Sequence, residues 1–421
     1  MKRSLLIAVV VVVAIAVALA GLIAFTDTPF FGQQRTVPKE IVIGTSQPLS
    51  GGLAEAGSHT LVGILAAIDY INEVKGGVYV KEFDKRIPLR LVLYDDRTET
   101  ARAKSVAERL IKVDNVVAII APYSSLLTSV MAPVAEENKI PTVATAAWSD
   151  AIYNQGFKFI FNPYIRGSKE AEITLNWFKE IADKIPVKTI AIAYSDDAYS
   201  TSVCEALANL AKKEGYDVVF QEKFPAGQLD FSVLLTSMKT RNPDLIVFFQ
   251  PSAAGNIKFI RQLRELGLTP KAIYGGYFGD LIAVRNELGS LLETVFAHAH
   301  DLPSPLPQTD KEMFNYIYER IKRKLPWPEA AVATSGAEAV LVLADAIERA
   351  GTLDPVKIRD AIANTDGYFI GPVKFGPDGV NPIRVIYLVQ FQNGDYRLIA
   401  PKTYPGLGIT LPTVDPIPYR P

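Results

Sequence analysis

The sequence predicts an α/β protein built as two doubly wound parallel-sheet lobes joined by a hinge. Three observations carry that expectation: short apolar strand-like runs alternate with helical patterns, the alternation recurs as two similar series in tandem, and the last part of the chain lacks a third complete sheet. Such alternation places helices on both faces of a parallel sheet.

The chain opens with Lys2 and Arg3 before an uncharged apolar run over residues 5–25, close to the ~20 residues a helix needs to cross a bilayer. Positive charge before the run and Asp27 after it orient the remainder outward. Run length favours a retained membrane helix, while Ala18-Leu19-Ala20 offers a cleavage site, so anchor and signal peptide stand as alternatives. With no cysteine nearby, thioether lipidation is not expected. Residues 1–35 are therefore assigned to this segment and a short linker.

In the first series, strands are expected at 41–43, 89–94, 116–120 and 142–144, with helices at 59–72, 101–112 and 127–138. The second has strands at 189–194, 217–222, 244–249 and 272–275, with helices at 168–184, 200–214, 231–239 and 253–266. Gly215 and Gly267 stand where two of these helices must stop. Helical patterns at 310–324, 335–350 and 355–364 follow, then strands at 371–375 and 384–392, with Asn393-Gly394 as a hairpin turn. These pieces complete the two sheets already begun. The chain then crosses between lobes near residues 162–163, 297–300 and 376–382, which makes a hinge. Lobe 1 is expected to comprise 36–163 plus 298–380, and lobe 2 164–297 plus 381–421, with the Pro- and Gly-rich tail beyond Pro401 as an extended wrap.

Composition narrows the function classes. Of the 421 residues, 49% are hydrophobic and 21% charged, enough apolar material for two cores. A net charge of −1 predicts no sequence-independent affinity for nucleic acid. The lone Cys204 lies on an apolar helical pattern and is expected as a buried small hydrophobe. No G-x-G-x-x-G, G-x-x-x-x-G-K-[ST] or G-x-S-x-G occurs, so no cofactor and no catalytic residue is assigned. His298-Ala299-His300 would put both rings on one face of a strand; with no third ligand evident in the sequence, it is read as a crossing segment and no metal is assigned.

Ligands of open α/β sheets sit beyond the carboxyl ends of the strands, so the residues just after each strand are the candidates. They are hydroxyls, small residues and aromatics: Thr45, Ser46 and Gln47; Tyr123, Ser124 and Ser125; Ala146, Ala147 and Trp148; Tyr199; Gln250 and Ser252; Tyr277, Phe278 and Asp280. Tyr123-Ser124-Ser125 precedes a helix, so hydroxyls and free N–H groups converge where a carboxylate is favoured, although a simple N-cap accounts for the pattern equally well. Asp95-Asp96 and Asp196-Asp197 follow strands and read as turn caps, since adjacent side chains point apart.

With Ile41-Gly44, Pro48-Leu49-Ser50-Gly51, Leu93-Tyr94-Asp95-Asp96 and Leu343-Ala344-Asp345-Ala346 in this order and spacing, residues 39–401 resemble the type I periplasmic binding proteins, specifically the leucine/isoleucine/valine-binding proteins of branched-chain amino acid ABC importers. The resemblance implies two lobes joined by three crossovers that close over a small-molecule ligand, and a membrane permease as partner. It implies that Ser125 meets a ligand carboxylate, that the Ala146-Ala147-Trp148 segment completes that contact with Trp148 where a threonine is usual, and that Tyr199 closes from the second lobe. Tyr277 falls where amino acid binders place an acidic residue against the ligand ammonium, leaving Asp280 or Asp197 as substitutes. With the strand-end residues Tyr123, Ser124 and Ser252 added, the assigned binding set is Tyr123, Ser124, Ser125, Ala146, Ala147, Trp148, Tyr199, Ser252, Tyr277 and Asp280. The implied cargo is a branched-chain or other aliphatic amino acid; a short amide, urea or an aromatic carboxylate is the alternative. A sensory domain of the same fold and, further off, a metal-dependent α/β enzyme using the paired aspartates are the rival classes.

Overall fold

A computed structural model describes residues 36–420; the N-terminal apolar run, and with it the anchor and signal alternatives, lies outside the described residues. The chain divides into two units, residues 1–39 and 40–421. The second carries the fold.

Its first sheet holds β1 (Ile41–Gln47), β2 (Leu89–Asp95), β3 (Ala118–Ile120), β4 (Thr142–Val143) and β5 (Ile160–Phe161) in the order β2-β1-β3-β4-β5. All four pairings are parallel, with Ile41 opposite Leu89 and Gln47 opposite Asp95. The second sheet holds β6 (Thr189–Ser195), β7 (Asp217–Phe224), β8 (Leu245–Phe249), β9 (Ala272–Gly275), β10 (Phe296–Ala299), β11 (Tyr387–Gln392) and β12 (Asp395–Ala400). Its order is β12-β11-β10-β9-β8-β6-β7, and β11 and β12 run antiparallel, closing one edge with the Asn393-Gly394 hairpin. Both sheets are doubly wound α/β.

Three helices belong to the first series: α1 (Ala54–Asp69), α2 (Thr100–Lys112) and α3 (Ser125–Glu137). Four belong to the second: α4 (Gly167–Glu180), α5 (Ala198–Lys213), α6 (Ser232–Arg241) and α7 (Ala253–Glu265). They are followed by α8 (Ile282–Leu288), α9 (Lys311–Lys322), α10 (Ala330–Ala350) and α11 (Pro355–Ala363). Helix α10 is long and apolar enough to cross a membrane, yet it is buried from Ala330 through Ala344 and packs on α1 as the core helix of the first lobe. Gly63 and Gly336 permit that packing. A Cβ on Gly63 would lie 1.6 Å from the Ala333 carbonyl oxygen, and one on Gly336 would lie 2.3 Å from that of Thr60. Cys204 is buried on α5, as its apolar pattern predicts.

Three segments pass between the sheets, and a buried polar network ties them together. Tyr164, after β5, donates to Asp301 Oδ2 (2.6 Å), and Asp301, just past β10, pairs with the Arg384 guanidinium of the last crossing. Arg384 also bonds Glu338 Oε1 of α10 (3.0 Å) and lies 4.3 Å over the Tyr164 ring. Backbone pairing adds to this: the Asn162 N–H donates to Gly379 O (2.7 Å) and the Asn381 N–H to Asn162 O (3.0 Å). The tail beyond Pro401 straps the second sheet, with Gln390 Nε2 donating to Ile417 O (2.6 Å) and the Tyr419 N–H to Lys271 O (2.8 Å).

Candidate ligand-binding cleft

Because the parallel strands of the two sheets deliver their following residues to one side, the two carboxyl ends face each other and enclose a cavity of about 230 Å³. The first sheet contributes Tyr123, Ser124 and Ser125 after β3 and Ala146 and Trp148 after β4. The second contributes Asp197 and Tyr199 after β6, Gln250 and Ser252 after β8, Tyr277 and Asp280 after β9, and His300 after β10. Nine of the ten residues assigned from the sequence line this space. Ala147 does not: it is fully buried, and its carbonyl accepts the Tyr153 hydroxyl (2.5 Å), so it holds the loop from behind.

On the first-lobe side, Ser125 begins α3 and Ser124 precedes it without a side-chain capping bond, so the simple N-cap reading fails. The Ser125 Oγ accepts the Ser149 N–H (3.1 Å), which leaves its own O–H free to donate into the cleft beside the helix N-terminus. The Trp148 Nε1–H is buried with no partner in the protein. Where the resemblance implies a threonine hydroxyl, Trp148 thus presents a ring N–H donor. Its ring stacks on Tyr164 (centroids 5.7 Å) and meets Tyr199 edge-on (5.7 Å), which fixes its direction.

Thr45, Ser46 and Gln47 lie within β1, longer by four residues than the 41–43 run predicted from apolar pattern. Gln47 accepts the Tyr123 N–H at Oε1 (3.1 Å) and donates to Ala121 O (3.3 Å), so it shapes the β3–α3 turn and does not line the cavity. The paired aspartates are turn caps. Asp95 accepts from the Leu49 N–H (3.0 Å) and the Ser50 hydroxyl (2.7 Å), and Asp96 from Ser46 (2.6 Å). Asp197 caps α5 through the Tyr199 and Ser200 N–H groups (3.1 and 3.0 Å), and Asp196 pairs with Lys223 (3.3 Å). Neither pair converges on a shared point.

The floor of the cleft is charged. His298 Nδ1 lies 3.0 Å from Glu170 Oε1, Tyr199 donates to Glu170 Oε2, and His298 Nε2 faces His300 Nε2 at 3.1 Å. Asp280 stands between the imidazoles, 3.6 Å from His298 and 3.4 Å from His300. Burial alone would lower the His298 pKa, but the Glu170 and Asp280 carboxylates outweigh it and raise it to about 10. Burial alone would raise that of Asp280; the His300 and His298 rings outweigh it and hold the carboxyl well below its usual range. Asp280 is thus ionised in the cleft, and its Oδ1 accepts no hydrogen bond. Asp280 is also the third ligand-type group near His298 and His300 that the sequence did not reveal.

Two lobes, three crossovers and a solute-sized space between the sheet ends define an architecture, and comparison with known proteins agrees with it. A family model described as periplasmic binding protein matches residues 40–395. The chain belongs to that family. It is a type I periplasmic binding protein of the branched-chain amino acid type. It is similar to the Leu/Ile/Val-binding protein homolog 7 of Brucella suis biovar 1, with 25% identity over 417 residues, 93% of this chain and 99% of the relative. It is similar also to the leucine-, isoleucine-, valine-, threonine-, and alanine-binding protein of Pseudomonas aeruginosa, with 25% identity over 352 residues, 82% of this chain and 88% of the relative. Among solved structures, a leucine binding protein LivK from Thermotoga maritima aligns with a TM-score of 0.74 and 28% identity, covering 86% of this chain and 98% of that one. Members of this family bind solutes and are not enzymes, which accords with the turn-capping roles of the paired aspartates.

Proposed function

We propose that this periplasmic binding protein is the solute receptor of an ABC importer and carries a small zwitterionic amino acid, branched-chain or otherwise aliphatic, to a membrane permease. One observation supports it most directly: buried polar atoms without partners gather at this cavity, the Trp148 Nε1–H on one side and Asp280 Oδ1, Gln250 Nε2 and His300 Nδ1 on the other. Unpaired buried polar groups are costly, and a ligand that pairs them recovers that cost. In this reading the carboxylate lies at the α3 N-terminus against Ser125 and Trp148, the ammonium against Asp280, and the aliphatic chain among Leu53, Tyr199 and Tyr277. A cavity of about 230 Å³ is below the ~300 Å³ at which pockets for larger ligands begin, which favours a small solute. The N-terminal apolar run would hold the receptor at the outer face of the membrane.

The test is the thermal stability of the purified full-length chain with leucine, valine, short amides, urea or benzoate, since a ligand selective for the folded state raises the melting temperature. Leucine and valine are expected to raise it, and Ser125→Ala and Trp148→Phe each to weaken their affinity about tenfold, the worth of one hydrogen bond to a charged group. A shift given only by a compound without an α-amino group overturns the amino acid assignment and keeps the receptor. Unchanged affinity in both variants and in Tyr199→Ala would remove the cleft itself.

A further inference from the structure

We propose that Asp280, His298 and His300 form a binding site for a divalent transition metal of the zinc type, with its fourth coordination position open to the cleft. His298 lies on β10, His300 just past its end and Asp280 in the turn that follows β9, and the parallel pairing of β9 with β10 brings the three together across twenty residues of sequence. The donor atoms are His298 Nε2, His300 Nε2 and an oxygen of Asp280. The nitrogens are 3.1 Å apart, Asp280 Oδ2 is 3.6 Å from His298 Nε2 and Asp280 Oδ1 is 3.4 Å from His300 Nε2, and one donor atom from each residue lies within 4.8 Å of the other two. Four ligands at zinc bond lengths of ~2.0–2.1 Å in a tetrahedron stand about 3.3 Å apart. The two nitrogens already stand near that spacing, and a small turn of the Asp280 carboxylate brings one oxygen to both.

The surroundings also suit a metal. His298 Nδ1 faces the Glu170 carboxylate at 3.0 Å, the outer partner that fixes the tautomer of a ligating histidine and turns Nε2 toward the ion. Glu170 is itself held by the Tyr199 hydroxyl and by Tyr274 (3.3 Å), so the orientation is fixed through two layers. Trp148 packs on the His300 ring (centroids 4.5 Å), limiting its rotation. Two Nε2 atoms directed at each other at hydrogen-bond distance can share only one proton; a metal engages both lone pairs, and any proton there leaves to solvent. All three ligands are at most 4% exposed, and Asp280 and His300 line the cavity, so the open position faces the bound solute. The oxygen and nitrogen donor set favours zinc or a neighbouring transition metal over calcium or magnesium.

This goes beyond the amino acid reading and limits it. Asp280 cannot serve a metal and a ligand ammonium together, so metal and zwitterionic amino acid compete, whereas a solute offering an oxygen or a neutral amine could complete the metal's coordination.

The experiment is calorimetric titration of zinc chloride, with no organic solute present, into the chelator-washed full-length chain lacking a polyhistidine tag. One equivalent should bind; His298→Gln, His300→Gln and Asp280→Asn should each weaken it at least tenfold, and Glu170→Gln about tenfold through the outer partner. Cobalt in place of zinc should give the intense visible absorption of a four-coordinate site. Absence of one-equivalent binding, or binding unchanged in both histidine variants, overturns the proposal. If His298→Gln fails to fold, His300→Gln, at the cavity wall, decides alone. Because no solute is added, failure here leaves the amino acid reading standing, and failure with leucine leaves this one standing.

Discussion

Replacing Arg384 by alanine should cost the fold more than any single change in the cleft. Its guanidinium is buried at 3% exposure between two carboxylates, Asp301 of the second crossing and Glu338 of α10. Burial pushes the Glu338 carboxyl up to about 7, with Arg384 pulling the other way. Without the cation, Glu338 takes up a proton and relieves part of the imbalance, but Asp301 keeps only the Tyr164 and Thr334 hydroxyls (2.6 and 2.5 Å). Breaking a buried pair by removing one partner costs about 3–5 kcal/mol, because a charge is left buried without compensation. A single kcal/mol is a large share of the stability of most domains. Guanidinium denaturation of the full-length chain and of Arg384→Ala at neutral pH measures the loss. The combination Arg384→Met, Asp301→Asn, Glu338→Gln leaves no orphan charge and should recover most of it. A loss below about 1 kcal/mol in the single variant would refute this account, since it would place the crossing network among surface pairs in strength.

Two further outcomes follow from packing and charge. Burial raises the Glu329 carboxyl to about 7 against the opposing pull of Arg285, so the folded state holds that proton more tightly than the unfolded chain does. Its contribution is complete below the unfolded value near 4.5 and declines by up to about 3 kcal/mol as pH rises through 7; Glu329→Gln should flatten that part of the denaturation profile relative to the parent, and parallel profiles would count against it. Gly63→Ala would drive a methyl group into the Ala333 carbonyl, 1.6 Å from its position, so the α1–α10 contact must open; a fall in stability of about 1–3 kcal/mol is expected by denaturation, and an unchanged midpoint would show that the helices part freely.

The sequence made the architecture readable because most of its strands are buried on both faces as near-continuous apolar runs, too short for helices and bounded by turn residues. It fell short where the signal is tertiary. Ile160–Phe161 is a two-residue strand, and Phe296–Ala299 carries a histidine at a buried position, so neither announces itself. Helix α1 begins at Ala54, five residues before the expected start, within an Ala- and Gly-rich stretch that has no apolar stripe. In the cleft, order and spacing located nine lining residues, but side-chain direction escaped them: Ala147 turns away from the cavity and Gln47 is spent on a turn. The Asp280, His298 and His300 cluster depends on which strands are neighbours, which residue spacing alone cannot supply.

Cleft and hinge meet at one dipeptide. His300 faces the cavity, while Asp301, the next residue in the bend after β10, faces the crossing network with Arg384 and Tyr164. A group that pulls on His300 or Asp280 therefore acts on the segment whose other face is anchored in the hinge. On the far side of the cleft, the lobes touch through Asp150 and Ser202 (2.5 Å) and through Glu55 Oε1 and the Ala283 N–H (2.9 Å). Lobe closure changes interfaces of this kind while each core stays packed, because cores shift between discrete arrangements and do not deform continuously. The Tyr164–Asp301–Arg384 tie is buried, whereas the Asp150–Ser202 and Glu55–Ala283 contacts are only partly so, and the lobes are thus joined by a dry polar network at the crossings and by more accessible single contacts elsewhere.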